Sequence, residues 1–209
     1  MKITFFFFLL LFSFRSFCQY DAIKPKGIYS SNFVIDEKPR TITYYMPATY
    51  GKQEAYPLLL ILHGEKSNAA ALIKKYGDMI QAKADSAGCI VLYPDAYKGH
   101  WNSDPKDSVN DVGFINIMAD FFARQFNCDV SELKVVGIGS GGNLSYRVNC
   151  ESIYQPVVIA TINATAGNNS FSNCRNNKAI PNINITSTAI TKAEIQRALD
   201  YLFTQIKAK

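Results

Sequence analysis

Histidine is almost missing from this sequence: His63 and His100 are the only two among 209 residues. With so few imidazoles, and with cysteine spacings that fit no zinc pattern, a metal centre is not expected. The glycine spacing matches neither a phosphate loop nor a dinucleotide fingerprint. Lys66 follows His63-Gly64 but lacks the glycine frame of a phosphate-binding lysine. No cofactor is therefore expected. Clustered charge is missing as well: 22 Lys and Arg stand against 17 Asp and Glu, with no basic stripe and no run of one sign. That pattern argues against nucleic acid or an anionic membrane surface as partner. Beyond residue 14 there is no apolar run long enough to cross a bilayer, which takes about 20 residues.

What is present begins with an export signal. Lys2 supplies a short positive region, 3–14 is an apolar run rich in Phe and Leu, and Ser16 and Cys18 sit at −3 and −1 of a cut before Gln19. A leader over 1–18 is expected, and with it a secreted or periplasmic protein with no membrane partner once the leader is gone. A lipidated Cys18 is the weaker alternative, because Phe17 stands where a lipobox wants Gly or Ala. A retained anchor is weaker still, because Arg15 interrupts the run. Loss of Lys2 and Arg15 leaves 20 basic against 17 acidic residues, a charge near +3.

Four cysteines then remain, Cys89, Cys128, Cys150 and Cys174, which permit two disulfides in three pairings. Cys150–Cys174 is the preferred bridge, because it would pin a polar, Asn-rich loop. Cys89 and Cys128 each precede a predicted strand. Either a second bridge or two free buried thiols is compatible with that placement.

The mature part has ordinary globular composition, 48% hydrophobic and 19% charged, and its length suits one domain over 19–209. Apolar period and breakers predict strands over 27–35 and 40–46, joined as a hairpin at Asp36-Glu37-Lys38-Pro39. Buried strands follow at 58–62, 90–93, 133–136 and 157–162, with a short one at 183–185. Helices are predicted over 69–87, 114–126, 144–150 and 191–206, the last opened by a Thr191/Glu194 capping box. A hairpin followed by alternating β and α describes an α/β fold: a mostly parallel sheet with helices on both faces.

Ligands of such sheets sit beyond the C-terminal ends of the strands, and three loops there carry candidate chemistry. His63-Gly64 follows a buried strand. Its backbone N–H groups suit half of an oxyanion hole, or Gly64 is a tight turn and His63 a packed polar cap. The loop with Asp95, His100, Trp101 and Asn102 either lines a pocket for a sugar or aromatic ester or plugs the sheet edge. The third loop, Gly137-Ile138-Gly139-Ser140-Gly141-Gly142, runs from strand into helix, the setting of a nucleophile elbow. An elbow needs small residues two before and two after its nucleophile. Gly137 and Gly141 satisfy this for Gly139, whereas Ile138 breaks it for Ser140.

An ordered set of segments resembles the secreted polyhydroxybutyrate depolymerase and feruloyl esterase family of α/β-hydrolases. The segments are 44–47; 57–64 ending in His63-Gly64; Ala84-Asp85 with Gly88 before 91–95; Trp101-Asn102; Asp111-Val112-Gly113-Phe114; and 137–150, where Gly141-Gly142, Tyr146-Arg147 and Cys150 fix the frame. The resemblance spans roughly residues 25 to 175. It implies an α/β-hydrolase fold and, for intact members, ester hydrolysis by a Ser-His-Asp triad. This sequence departs from that pattern. Gly139 occupies the nucleophile slot, 183–191 has no Asp or Glu, and no His follows His100. The segment expected between the late strands and the catalytic His is missing, so the fold reads as shortened at the C-terminus. The expected protein is a pseudoenzyme that holds a small aromatic ester, polyester or carbohydrate in a cleft under Trp101. The alternative is an active carboxylic-ester hydrolase using Ser140 with His100 or His63. Asn143, Asn163, Asn168 and Asn184 open glycosylation patterns that matter only if the source glycosylates its exports.

Overall fold

The computed structural model of the protein describes residues 24–102, 109–166, 174–176 and 178–205. The leader expected over 1–18 lies outside them, as does Asn168. Among the described residues seven strands form one sheet: β1 (Gly27–Ile35), β2 (Lys38–Met46), β3 (Tyr56–Leu62), β4 (Ile90–Pro94), β5 (Cys128–Ile138), β6 (Val158–Ile162) and β7 (Asn182–Ile185). Their spatial order is β1-β2-β4-β3-β5-β6-β7. β2 is antiparallel to both neighbours, and every pair from β4 to β7 is parallel. Among the described residues α1 (Ala69–Ala87), α2 (Asp111–Phe126) and α3 (Ser140–Glu151) connect strands, and α4 (Lys192–Thr204) follows β7.

The continuous apolar run of β3 makes sense because both of its faces are covered. Leu58, Leu60 and Leu62 pack toward α2 and α3, while Leu59 and Ile61 pack toward α1 and α4. A strand buried on both sides has no polar face to alternate. The helices are closed by local chemistry. Asn68 Oδ1 accepts from the Ala71 N–H at 2.8 Å to open α1, and Gly88, left-handed at φ 64°, ends it. Thr191 and Glu194 complete the reciprocal capping box of α4.

Three element starts differ from the sequence reading by three residues or more. α2 starts at Asp111 instead of 114, because Asn110 caps it by accepting from the Gly113 N–H at 2.8 Å. β5 starts at Cys128 instead of 133: a register shift between Pro57 and Leu59 lets its polar first residues pair with β3 before the apolar run begins. α3 starts at Ser140 instead of 144, so the glycines that read as loop belong to its first turn.

Cys150, in the last turn of α3, is bonded to Cys174, and Asn176 reinforces that attachment through its N–H to the Cys150 carbonyl at 3.0 Å. Cys89 and Cys128 are free and buried. Cys89 belongs to the α1/α4 layer and Cys128 to the α2/α3 layer, so the sheet stands between them. Burial pushes the Cys89 thiol up to about 12 and raises Cys128 as well, which leaves both as inert apolar groups. The Cys150–Cys174 link closes a separation of 24 residues. Replacing both cysteines by Ala should remove about 3 kcal/mol of stability through the freed unfolded chain, measured by urea unfolding. A loss under about 1 kcal/mol would mean that local hydrogen bonds, not the cross-link, hold the segment.

Candidate functional site

The chain leaves β3 for α1 on one face of the sheet and leaves β5 for α3 on the other. A crevice therefore opens beyond the strand ends at that divergence. A cavity of about 440 Å³ lies there. His63, Gly64 and Glu65 line it after β3, Ile138 and Gly139 at the end of β5, Asn163 after β6, and Tyr76 from α1.

The turn from β5 into α3 is centred on Gly139, at φ 51° and ψ −116°, and Ser140 is the first residue of the helix. A side chain at this φ is strained whatever its surroundings, yet a Cβ on Gly139 would have open space around it. The flanking glycines are the reverse case. A Cβ on Gly141 would stand 2.5 Å from the His63 carbonyl oxygen and 2.6 Å from that of Leu62. On Gly137 it would stand 2.5 Å from the Gly141 carbonyl. These glycines let the helix start pack directly onto the backbone end of β3.

His63 is 1% exposed and fully engaged. Its Nε2 accepts from the Ala96 N–H at 3.1 Å, which puts the ring proton on Nδ1, 2.8 Å from the Gly64 carbonyl. Its own carbonyl accepts from Trp101 Nε1 at 2.8 Å, and the two rings are 4.9 Å apart. Burial lowers its pKa, with the Gly64 carbonyl opposing. The residue ties the end of β3 to the segment after β4.

His100 is exposed and pairs through Nδ1 with Glu65. Sequence reasoning passed over Glu65, although it directly follows the His63-Gly64 pair. Ser140 Oγ is buried without a hydrogen bond of normal geometry. It lies near enough to Glu65 to be, ahead of His100, the main reason that this carboxylate sits below its usual range. Neither histidine hydrogen-bonds to Ser140.

Trp101 and Asn102 are not among the residues that line this cavity. Both are buried, at 5% and 3% exposure, in a polar lock. Asp111 accepts from the Asn102 N–H and from Arg40, each at 2.6 Å, and Arg147 donates to the Asn102 carbonyl at 3.1 Å. Arg40 also lies over the Phe114 ring, 4.0 Å from its centroid. Buried charges persist only when paired and hydrogen-bonded in this way. The pair Trp101-Asn102, expected to line a pocket or plug the sheet edge, is thus anchored after β4 by His63, Asp111 and Arg147.

Three glycosylation patterns are likewise spent on structure. Asn143 accepts from the Thr165 and Ala166 N–H groups, both at 2.9 Å. Asn163 exchanges two bonds of 2.8 Å with Ser187, and Asn184 donates to the Ala164 carbonyl at 2.9 Å. They staple the loops after β6 and β7 beside the crevice.

This architecture is an α/β-hydrolase fold. No family model and no curated protein matches the sequence. Solved structures do match in fold. The chain is similar to the poly(3-hydroxybutyrate) depolymerase LpqC from Bordetella parapertussis, with a TM-score of 0.55 and 13% identity, over 88% of this chain and 78% of that one. It is similar to a ferulic acid esterase (TM-score 0.53, 14% identity, 67% of this chain and 59% of that one). An acetyl xylan esterase from Aspergillus awamori gives 0.54 and 12%, over 69% of this chain and 55% of that one. The chain thus spans less than two thirds of the length of the last two.

Two predictions follow the geometry. Gly139→Ala should lose about 1–3 kcal/mol through φ strain alone, whereas Gly141→Ala, whose Cβ meets backbone oxygens, should lose more; chemical unfolding of both orders them. The reverse order would mean that the turn is centred elsewhere. His63 resists protonation in the folded state, whereas the unfolded chain binds a proton near 6.5. Stability should therefore fall as pH drops below that value. His63→Gln should be less stable at neutral pH but show a flatter decline from pH 7 to 5, followed by thermal unfolding. An unchanged acid slope would remove His63 as its source.

Proposed function

We propose that this chain is an exported, catalytically inactive protein on an esterase-type α/β-hydrolase fold, whose crevice holds a ligand without turning it over. The observation that carries this reading is the backbone of Gly139. The strained strand-to-helix turn, the close-packed flanking glycines and the open space above the Cα are those of a nucleophile position, and the residue there offers no oxygen.

Ester hydrolysis needs a nucleophile whose proton passes to a base within hydrogen-bond reach. Among the described residues Ser140 has no imidazole base: His63 has both ring nitrogens occupied, and His100 is held by Glu65. An acid in place of imidazole beside a serine does not reproduce the relay, because a low-lying carboxylate is a weak base toward a hydroxyl. What remains is a cavity lined by Tyr76, Ile138 and Lys75 among others. That lining suits a small aromatic ester or a carbohydrate- or polyester-derived fragment. Export is supported by the leader pattern over 1–18 and by the Cys150–Cys174 bridge. Among the described residues no helix is long and apolar enough to cross a membrane.

Hydrolysis of p-nitrophenyl acetate and methyl ferulate by the purified protein should equal the buffer blank and be unchanged by Ser140→Ala. Turnover above blank that Ser140→Ala abolishes would overturn this reading and make the protein a serine hydrolase with an unusual base.

A further inference from the structure

Among the described residues β1 is the outermost strand and pairs only with β2. Its nine residues, GIYSSNFVI, contain no charge and no proline. Edge strands that stay unpaired usually carry such devices, because a row of free N–H and C=O groups invites another strand. One face of β1 is spent on the core: Tyr29 stacks on Tyr44, and Phe33 packs edge-on against Phe114 and Phe121. The other face, Ile28, Ser30, Asn32 and Val34, is exposed. Val34, at 75%, is the most exposed large hydrophobic residue among those described, and Ile28 stands at 47%.

The order of these residues is close to a palindrome about Ser31. Ile28 mirrors Val34, Tyr29 mirrors Phe33 and Ser30 mirrors Asn32. An antiparallel strand of the same sequence, placed with Ser31 opposite Ser31, would set Ile28 of one copy against Val34 of the other on the exposed face. Ser30 would face Asn32 between them, and the two aromatics would meet on the core side. Apolar, aromatic and hydroxyl–amide cross-strand pairs of this kind each favour pairing. A two-fold axis through Ser31 would also satisfy the self-complementarity that an isologous dimer requires. A foreign strand would gain the backbone bonds but not this matching. We propose that two copies of this chain associate edge to edge through antiparallel β1 strands centred on Ser31, joining their sheets into one.

Sedimentation velocity of the purified chain over a concentration series tests this. A concentration-dependent dimer is expected. Ser30→Lys/Asn32→Lys sets like charges opposite each other and should weaken it at least about tenfold, since directly opposed like charges destabilise pairing. Mixing that variant with Ser30→Glu/Asn32→Glu should restore a dimer containing one chain of each. Val34→Asp, at a position already open to solvent, should weaken it without touching the core, and circular dichroism checks that each variant is folded. A native chain that stays monomeric at every concentration overturns the proposal. So does a dimer that ignores these substitutions, or a pair of folded charge variants that fail to associate.

Discussion

The first turn of α3 lies against the end of β3 with no side chains between them, and the site is arranged around that contact. A single Cβ on Gly141 would push into the carbonyls of Leu62 and His63. With the two backbones in contact, the β5–α3 turn must be tight, and Gly139 takes the left-handed φ that closes it. The His63 carbonyl on the other side of the contact then receives Trp101, whose neighbour Asn102 is gripped by Asp111 and Arg147. One close approach thereby fixes three loops at the strand ends: those after β3, β4 and β5.

The same constraint separates scaffold from chemistry. Backbone packing of this kind is indifferent to the side chain at position 139, where open space lies above the Cα. A chain can therefore keep the turn while carrying any small residue there, glycine most easily because it bears no strain penalty at this φ. His63 illustrates the other half of the division. Its burial and its two ring contacts make it a neutral strut linking β3 to the segment after β4, which is stabilising work that leaves no lone pair for proton transfer.

Much of this was legible in the sequence, for identifiable reasons. α1 reads correctly to the residue because Asn68 and Gly88 mark its ends chemically, and α4 reads well because of its capping box. The glycine frame around Gly139 could be read because steric need at two-residue spacing is a property of sequence. The starts of β5 and α3 could not, because a register shift against Pro57 and close packing against Leu62 are tertiary facts. The loop with Trp101 was ambiguous for the same reason. Nothing local says that Asp111, across the intervening loop, and Arg147, far along the chain, both hold Asn102. Glu65 was silent because one carboxylate after a glycine carries no pattern until His100 and Ser140 are brought beside it.

The central claim is that the elbow survives without an activated nucleophile. Its most direct test is incubation of the purified protein with a fluorophosphonate, read by intact and peptide mass spectrometry alongside an active esterase. Such a probe modifies a serine only when its hydroxyl is activated, and it needs no guess at the substrate. The account predicts no adduct on the native chain while the control esterase is labelled to completion. A stoichiometric adduct on Ser140 would contradict it, because that hydroxyl would then have found a base within reach.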